Sequence, residues 1–361
     1  MTEWINVKGD DRLVELAREL ERQKKTKKDY IVAGSDLSMK EGVDGKPELV
    51  ISRLPSSTQE AAYTGHFKIT PYCHGQIAEK CKIPRPYYNR MLEEGKTELL
   101  ADNVNAWIGD KERRLVRTLD GNARAILSDR YRIMDNYDIM MLTLQQFVEQ
   151  KDKGNEVEIQ RCDVTDTHMY IKGVMPHTQE EIRSGDSVIR GVVVRNSEVG
   201  AGAFSVEPFL VRLVCQNGMI GEKTLNKVHL GRQKDVGELL SDATRQLEDQ
   251  ALWSGIKDVI GRTFDDRFFN EWVQRIRDAD STEIPRPVEA VDLVASEYKI
   301  SDGMKTEILN RFRGNTVWDL TNAITASAHE SGINYEGQIE LEKIGGNLVQ
   351  NNKLIAQICA V

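Results

Sequence analysis

The chain has 361 residues, of which 40% are hydrophobic and 29% charged, a core-forming mixture that excludes a wholly disordered chain and suggests two or three domains. No apolar run approaches the roughly 18 residues of a membrane span, and the start MTEWINVKGDDRL lacks the basic-then-apolar order of a secretion signal. The net charge is −8, but residues from Asp235 onward hold 13 basic and 22 acidic side chains, so residues 1–234 stand at +1.

Five cysteines (73, 81, 162, 215 and 359) are an odd number without a CxxC pair, which points to reduced thiols in a cytoplasm and to neither a disulfide scaffold nor a zinc ribbon. Within the front part, residues 111–132 hold seven basic against three acidic side chains and residues 183–234 hold eight against four. Both windows are +4.

Residues 10–28 have Leu13, Val14, Leu16, Ala17 and Leu20 at helical spacing. This helix runs into ERQKKTKK (21–28), which reads as a solvated helix end with cations on the C-terminal dipole. Residues 33–62, rich in Gly, Ser, Asp and Pro, predict loops around one strand, Glu48–Ser52. A helix over about 71–81, a break at Lys82–Pro84 and a second helix opened by prolines form a helical hairpin. Lys82 stands where a helix-turn-helix would place glycine, and a packing role fits better than DNA reading.

The period then changes. Arg113–Leu119 and Asn122–Leu127 are extended runs joined by Asp120-Gly121, two residues that tolerate positive φ, and predict a β-hairpin. A helix follows over Asn136–Gln150. Residues 156–163 and 167–175, then Val188–Arg195 and Val206–Val214, predict two strand pairs, and Gln216-Asn217-Gly218 turns the chain toward Thr224–Leu230. Beyond about 236 only helices are predicted: 236–260, 264–279, 286–299, 301–313, 316–331 and 336–350. The expected fold class is α+β, a central, mainly antiparallel sheet with packed helices followed by an α-helical C-terminal region. The expected division is 1–69 (helix, loops and a strand), 70–234 (core with basic strands) and 235–361 (acidic helices).

Arg113 and Arg117 share strand parity. With Arg114, Arg124, Arg130 and Arg132 around Tyr131, the hairpin suits a phosphate backbone and a stacked base. It suits equally an exposed hairpin whose arginines pair with acidic helices. The second basic segment offers Arg190, Arg195, Arg212, Lys223, Lys227, His229 and Arg232. Asn196-Ser197-Glu198 with the following glycines resembles a polar binding turn, although neither GxxxxGK[ST] nor GxGxxG occurs there. No cofactor, metal site or catalytic group is read from the sequence. His66, Cys73, His74 and Cys81 match no zinc spacing. Asp135 and Asp138 fit a helix start better than a Mg²⁺ site with Asp129, and Glu297-Tyr298-Lys299 fits a surface ion pair.

The segments 83–108, LVRTLDGNARAILSDRYRIMDNYDI (115–139), RNSEVGAGAFSVEPFLVRLVCQNGMI (195–220), VHLGR (228–232) and WDLTNAITASAHE (318–330) together resemble a family of phage- and plasmid-borne proteins built on a domain of unknown function. The resemblance implies a role in phage DNA metabolism inside a bacterial cytoplasm. The strand-rich core is also similar in outline to ring-forming single-strand annealing proteins, an analogy of fold only. The expectation is a non-enzymatic, homo-oligomeric single-stranded-DNA-binding protein, with a phage or host replication or recombination protein as a further partner. The alternatives are a Mg²⁺-dependent nuclease and a regulatory or protein-interaction module that reads duplex DNA.

Overall fold

A computed structural model describes residues 11–54, 63–109, 112–213, 218–221, 226–227, 242–330 and 332–360, and among these described residues hydrophobic alternation and turn residues give two sheets and twelve α-helices. Helix α1 (Asp11–Thr26) is followed by β1 (Lys28–Ala33), β2 (Leu37–Glu41), β3 (Pro47–Leu54) and β4 (Tyr63–Ile69). Helices α2 (Pro71–Lys80), α3 (Arg85–Glu93) and α4 (Thr97–Ile108) lead to the hairpin β5 (Arg113–Leu119) and β6 (Asn122–Ser128). The six strands make one sheet in the order β1-β5-β6-β4-β3-β2, antiparallel except where β4 meets β6. Helices α2–α4 cover one face through Ile77, Met91, Leu100 and Val104, packed on Leu49, Ile51, Val116 and Ile126.

Helix α5 (Asn136–Lys151) carries the chain to a second antiparallel sheet: β7 (Glu158–Val164), β8 (Met169–Arg183), β9 (Asp186–Asn196), β10 (Ser205–Arg212), β11 (Gly218–Ile220) and β12 (Asn226–Lys227). Its order is β11-β10-β9-β8-β7, with β12 also on β10. Alternate residues of β8 and β9 face opposite ways. Met169, Ile171, Val192 and Val194 meet α1, α5 and α6 (Asp242–Arg262), whereas Tyr170, Val174 and Val193 face Tyr335 and Ile339. The remaining helices are α7 (Asp266–Ser281), α8 (Pro287–Tyr298), α9 (Asp302–Arg311), α10 (Val317–Ser327), α11 (Tyr335–Gln350) and α12 (Asn352–Ala360). They close around Trp272, Trp318, Ile324 and Leu348.

The fold is α+β, with a helical C-terminal region. Three features differ from the sequence expectation. The single middle sheet is two, because the Asp120-Gly121 hairpin pairs with β1 and β4 and not with β7–β10. The supposed lone strand of 33–62 pairs with β2, in which buried Leu37 and Met39 alternate with polar residues, and with β4, while β1 joins the same sheet at its other end. After Pro84 there are two helices, α3 and α4, where the sequence reading has one, with Gly95 at φ +64° between them. The hairpin turn is as expected: Asp120 and Gly121 have φ values of 52° and 77°. Strands on both sides of residue 69 share the first sheet, and helices beyond 235 cover the second. No described helix is long and apolar enough to cross a membrane.

Helix α11 lies directly on the backbone of β11. A Cβ at Gly346 would sit 1.8 Å from the Ile220 carbonyl oxygen, whereas one at Gly255 in α6 would meet nothing within 4 Å. Helix propensity favours alanine at both by about 1 kcal/mol, so contact decides the sign. Chemical denaturation should show Gly346→Ala destabilised by about 2 kcal/mol or more and Gly255→Ala unchanged or stabilised. Destabilisation of both, or of neither, would contradict this packing.

Candidate functional site

The face of β5 that carries Arg113, Leu115 and Arg117 is covered, over Leu115 and Arg117, by the loop between β9 and β10. Leu115 packs with Leu127 and Val199, and Arg117 is wholly buried. Its guanidinium donates to both carboxylate oxygens of Asp29 at 2.8 and 2.9 Å, to the Glu198 carbonyl at 2.8 Å and to Asp135 at 3.1 Å. Arg124, also buried, donates to the Glu198 carboxylate at 2.5 Å. Lys27 lies 2.6 Å from Asp135 and 3.3 Å from Glu198, and the Asn136 N–H donates to Glu198 at 2.6 Å. Three cations thus face three carboxylates at the seam between the sheets.

Burial works to raise the Glu198 carboxyl, but Arg124, Lys27, Arg117 and the Asn136 N–H outweigh it and hold it below the usual carboxylate range. Asp135 follows the same balance, burial being overcome by Lys27 and Arg117. Burial opposes the Arg117 charge, yet Asp29, Glu198 and Asp135 together keep it firmly protonated.

The Asn196–Gly202 turn grips the protein's own first sheet. Asn196 donates to the Met134 carbonyl and to Asn136 Oδ1. Gln76 of α2 donates to the Val199 carbonyl at 2.8 Å while accepting from the Ile126 N–H of β6. Beside this seam is a polar cavity of about 360 Å³, lined by Arg22, Asp120, Arg124, Asn136, Asp166 and Glu198 among others. The Arg124 Nε is buried there without a partner among the described residues. Carboxylates outnumber cations on its walls, which does not suit a phosphate.

The structure therefore divides the residues singled out in the sequence. Arg117 and Arg124 are interior struts and cannot reach a phosphate backbone. Tyr131 is a strut too: its ring is partly buried beside Leu127 and Val199, and its hydroxyl donates to the Ser197 carbonyl at 3.0 Å. Arg212 is held by Asp186 at 2.6 and 2.8 Å, buried Arg190 by the Phe264 carbonyl and Asp266, and Arg195 faces Glu207 at 3.9 Å. Arg113 and Arg130 are exposed, and Arg114 and Arg132 half-buried, with Arg114 bonded to Glu112. Lys223, His229 and Arg232 lie outside the described residues, and of Lys227 only the backbone in β12 is described.

Lys27, read as part of a solvated helix end, is instead almost buried. Asp29 was not read as a functional position at all, and only the change from helix to strand at Lys28 marks it. Asp138 pairs with Lys24 at 2.9 Å. Among the described residues no three His, Cys, Asp or Glu side chains converge as a metal site. His74 meets the Tyr88 hydroxyl at 2.8 Å, and burial beside Arg85 pushes it down to about 4.

Residues 124–344, more than half of the chain, match the family model described as Domain of unknown function (DUF932). The chain belongs to this family. The DUF932 match takes in Arg124, Asp135 and Glu198, while Lys27, Asp29 and Arg117 precede it. Neither a curated protein nor a solved structure matches the chain.

Removing one member of a buried ionic group strands its partners. Arg117→Met should cost about 3–5 kcal/mol in urea unfolding, against about 0.5 or less for exposed Arg113→Met. Because the Glu198 carboxyl lies lower in the folded than in the unfolded chain, its contribution is complete above the unfolded value near 4 and is lost as pH falls through the folded one. The stability gap between wild type and Glu198→Gln should be full at neutral pH and shrink below about pH 4. A gap that widens with acid would refute the assignment.

Proposed function

We propose that this DUF932 protein binds single-stranded DNA on the outer surface formed by α2, the start of β5 and the 129–132 turn, and that it assists strand annealing or recombination on a phage or other mobile element. The observation that carries this reading is a gathering of cations on the outside of the first sheet. Lys80, Lys82, Arg85, Arg113 and Arg130 are all exposed. Arg114 above all, then Lys80 and Arg130, hold the Glu112 carboxyl below its usual range, which places the three around one point. Such a surface attracts phosphates without reading sequence. Tyr87 of α3 and Trp107 of α4, at 43% and 65% relative exposure, belong to the same helical layer as α2 and offer faces on which bases stack. They replace Tyr131 in that role.

Assembly fits the same reading. Strands β1 and β2 end the first sheet, and pairing at such edges joins copies and sets weak sites in a row. A second reading has its own observation. Lys82 adopts φ 53° between α2 and α3, the left-handed turn of a helix-turn-helix, and α3 exposes Arg85, Tyr87 and Arg90.

Fluorescence anisotropy with labelled oligonucleotides across a salt series, paired with mass photometry, tests both. Affinity for single strands should fall with salt at about 0.7 log units per phosphate contact, and the Arg113→Ala/Arg130→Ala double variant should lose roughly 1.4 from that slope. Salt-independent affinity, or a slope unmoved by the double variant, would overturn the surface assignment. Preference for one duplex sequence, lost in Arg85→Ala, would select the second reading.

A further inference from the structure

A second cavity, of about 310 Å³, opens between the second sheet and α11. Its lining includes Arg161 of β7, Lys172 of β8 and Phe209 of β10, facing Gln338 and Glu342 of α11, with His329 beside them. Arg161 and Lys172 are direct register partners on adjacent strands, so both side chains leave the same face of the sheet. Tyr335, Gln338 and Glu342 are spaced three and four residues apart and share one face of α11.

Two features separate this place from ordinary core. The Lys172 amine, 4% exposed, sits 2.5 Å from the Glu342 carboxylate, also 4% exposed as a side chain, and both line open space. A buried ion pair of this kind contributes little stability over apolar residues of similar volume. The Tyr335 hydroxyl is buried without a hydrogen-bond partner among the described residues. Its ring carries the Arg161 guanidinium 4.1 Å from its centroid, and the Lys172 amine stands 5.0 Å from the Phe209 centroid. Arg161 also donates to Gln338 at 2.7 Å, which holds its planar head at the cavity wall.

We propose that this cavity is a carbonyl site in which the Lys172 amine forms an imine with a small 2-oxo acid whose carboxylate rests on Arg161. Burial pushes the Lys172 ammonium down, against the attraction of Glu342, and pushes the Glu342 carboxyl up, against that of Lys172. Both shifts narrow the gap between the two groups, and at the 2.5 Å separation Glu342 is placed to take the ammonium proton as the carbonyl arrives, which frees the amine as nucleophile and leaves an acid beside it. The amine nitrogen attacks the carbonyl carbon, a C–N bond forms, and the carbonyl electron pair moves to oxygen. One nitrogen proton and the Glu342 proton convert that oxygen to leaving water, the C–O bond breaks, and the C=N bond remains as a protonated imine paired with the Glu342 carboxylate. One amine and one carbonyl give one imine and one water, with no oxidant or reductant needed. The cavity volume is at the small end of ligand pockets, about 300–1,000 Å³, which suits a metabolite of a few carbons. This site is separate from the proposed DNA surface and stands without it.

The test is reductive trapping on the full chain, with pyruvate as the oxo acid, propanal as an uncharged carbonyl, and cyanoborohydride to fix any imine as a secondary amine. Intact mass and peptide mapping locate the adduct. The expected result is a single adduct on Lys172 at probe concentrations that leave exposed Lys40 and Lys82 unmodified. In Arg161→Met, pyruvate trapping should fall about tenfold or more, the loss of one charge-assisted pair, while propanal trapping persists. Lys172→Met should abolish the adduct, but the wild-type map decides even if that variant does not fold. Adducts confined to exposed lysines, or no adduct, would overturn the proposal. Equal trapping of pyruvate and propanal by the wild type would overturn the oxo-acid assignment.

Discussion

The Arg117 guanidinium is the joint on which this structure turns. It leaves β5 of the first sheet, takes Asp29 of its neighbour β1, and reaches across to the Asp135 that opens α5 and to the backbone of the β9–β10 loop. With Lys27 and Arg124 it fixes Glu198 between the two sheets. Ionic groups withdrawn from water are costly unless every one is met, so the seam tolerates only a narrow set of positions for the elements that supply them. The polar turn, the α1–β1 junction and the start of α5 are therefore placed by one another.

This arrangement explains why, among the described residues, the two basic windows do not become basic surfaces of matching size. A +4 window counts charges and not their directions. In residues 111–132 the strand's end carries Arg113 to solvent, while four residues later the same parity carries Arg117 under the second sheet. In residues 183–234 the described arginines answer Asp186, Glu207 and Asp266. The outer cations that remain come partly from α2 and α3, which the sequence presents as a helical hairpin and not as a charged surface.

Local signals in the sequence were enough for the hairpin at Asp120-Gly121, the helix after Asp135 and nearly all of the C-terminal helices, because each rests on periodicity or on turn chemistry within a few residues. The number of sheets was not legible. Whether β6 continues to β4 or to β7 is a long-range choice that no local pattern encodes. Strands β1 and β2 escaped notice because five or six residues among Gly, Ser and Asp look like loop until a partner pairs with them. At the site, Glu198 was visible as part of a polar turn, but its role was misread, since the turn holds the protein itself. Lys27, Asp29, Lys172 and Glu342 carry no motif, and only the register of β7 and β8 and the placement of α11 make the last two a pair.

The family match begins at Arg124, the third residue of β6. A boundary there cuts through a β-hairpin and leaves on the far side β5, its sheet neighbour β1, and two of the three cations around Glu198. A fragment trimmed to the matched residues would inherit the carboxylates of Asp135 and Glu198 with Arg124 alone to answer them, and a sheet reduced to a single strand. The seam that joins the two sheets of this protein thus extends beyond the matched segment, because Lys27, Asp29 and Arg117 all precede it.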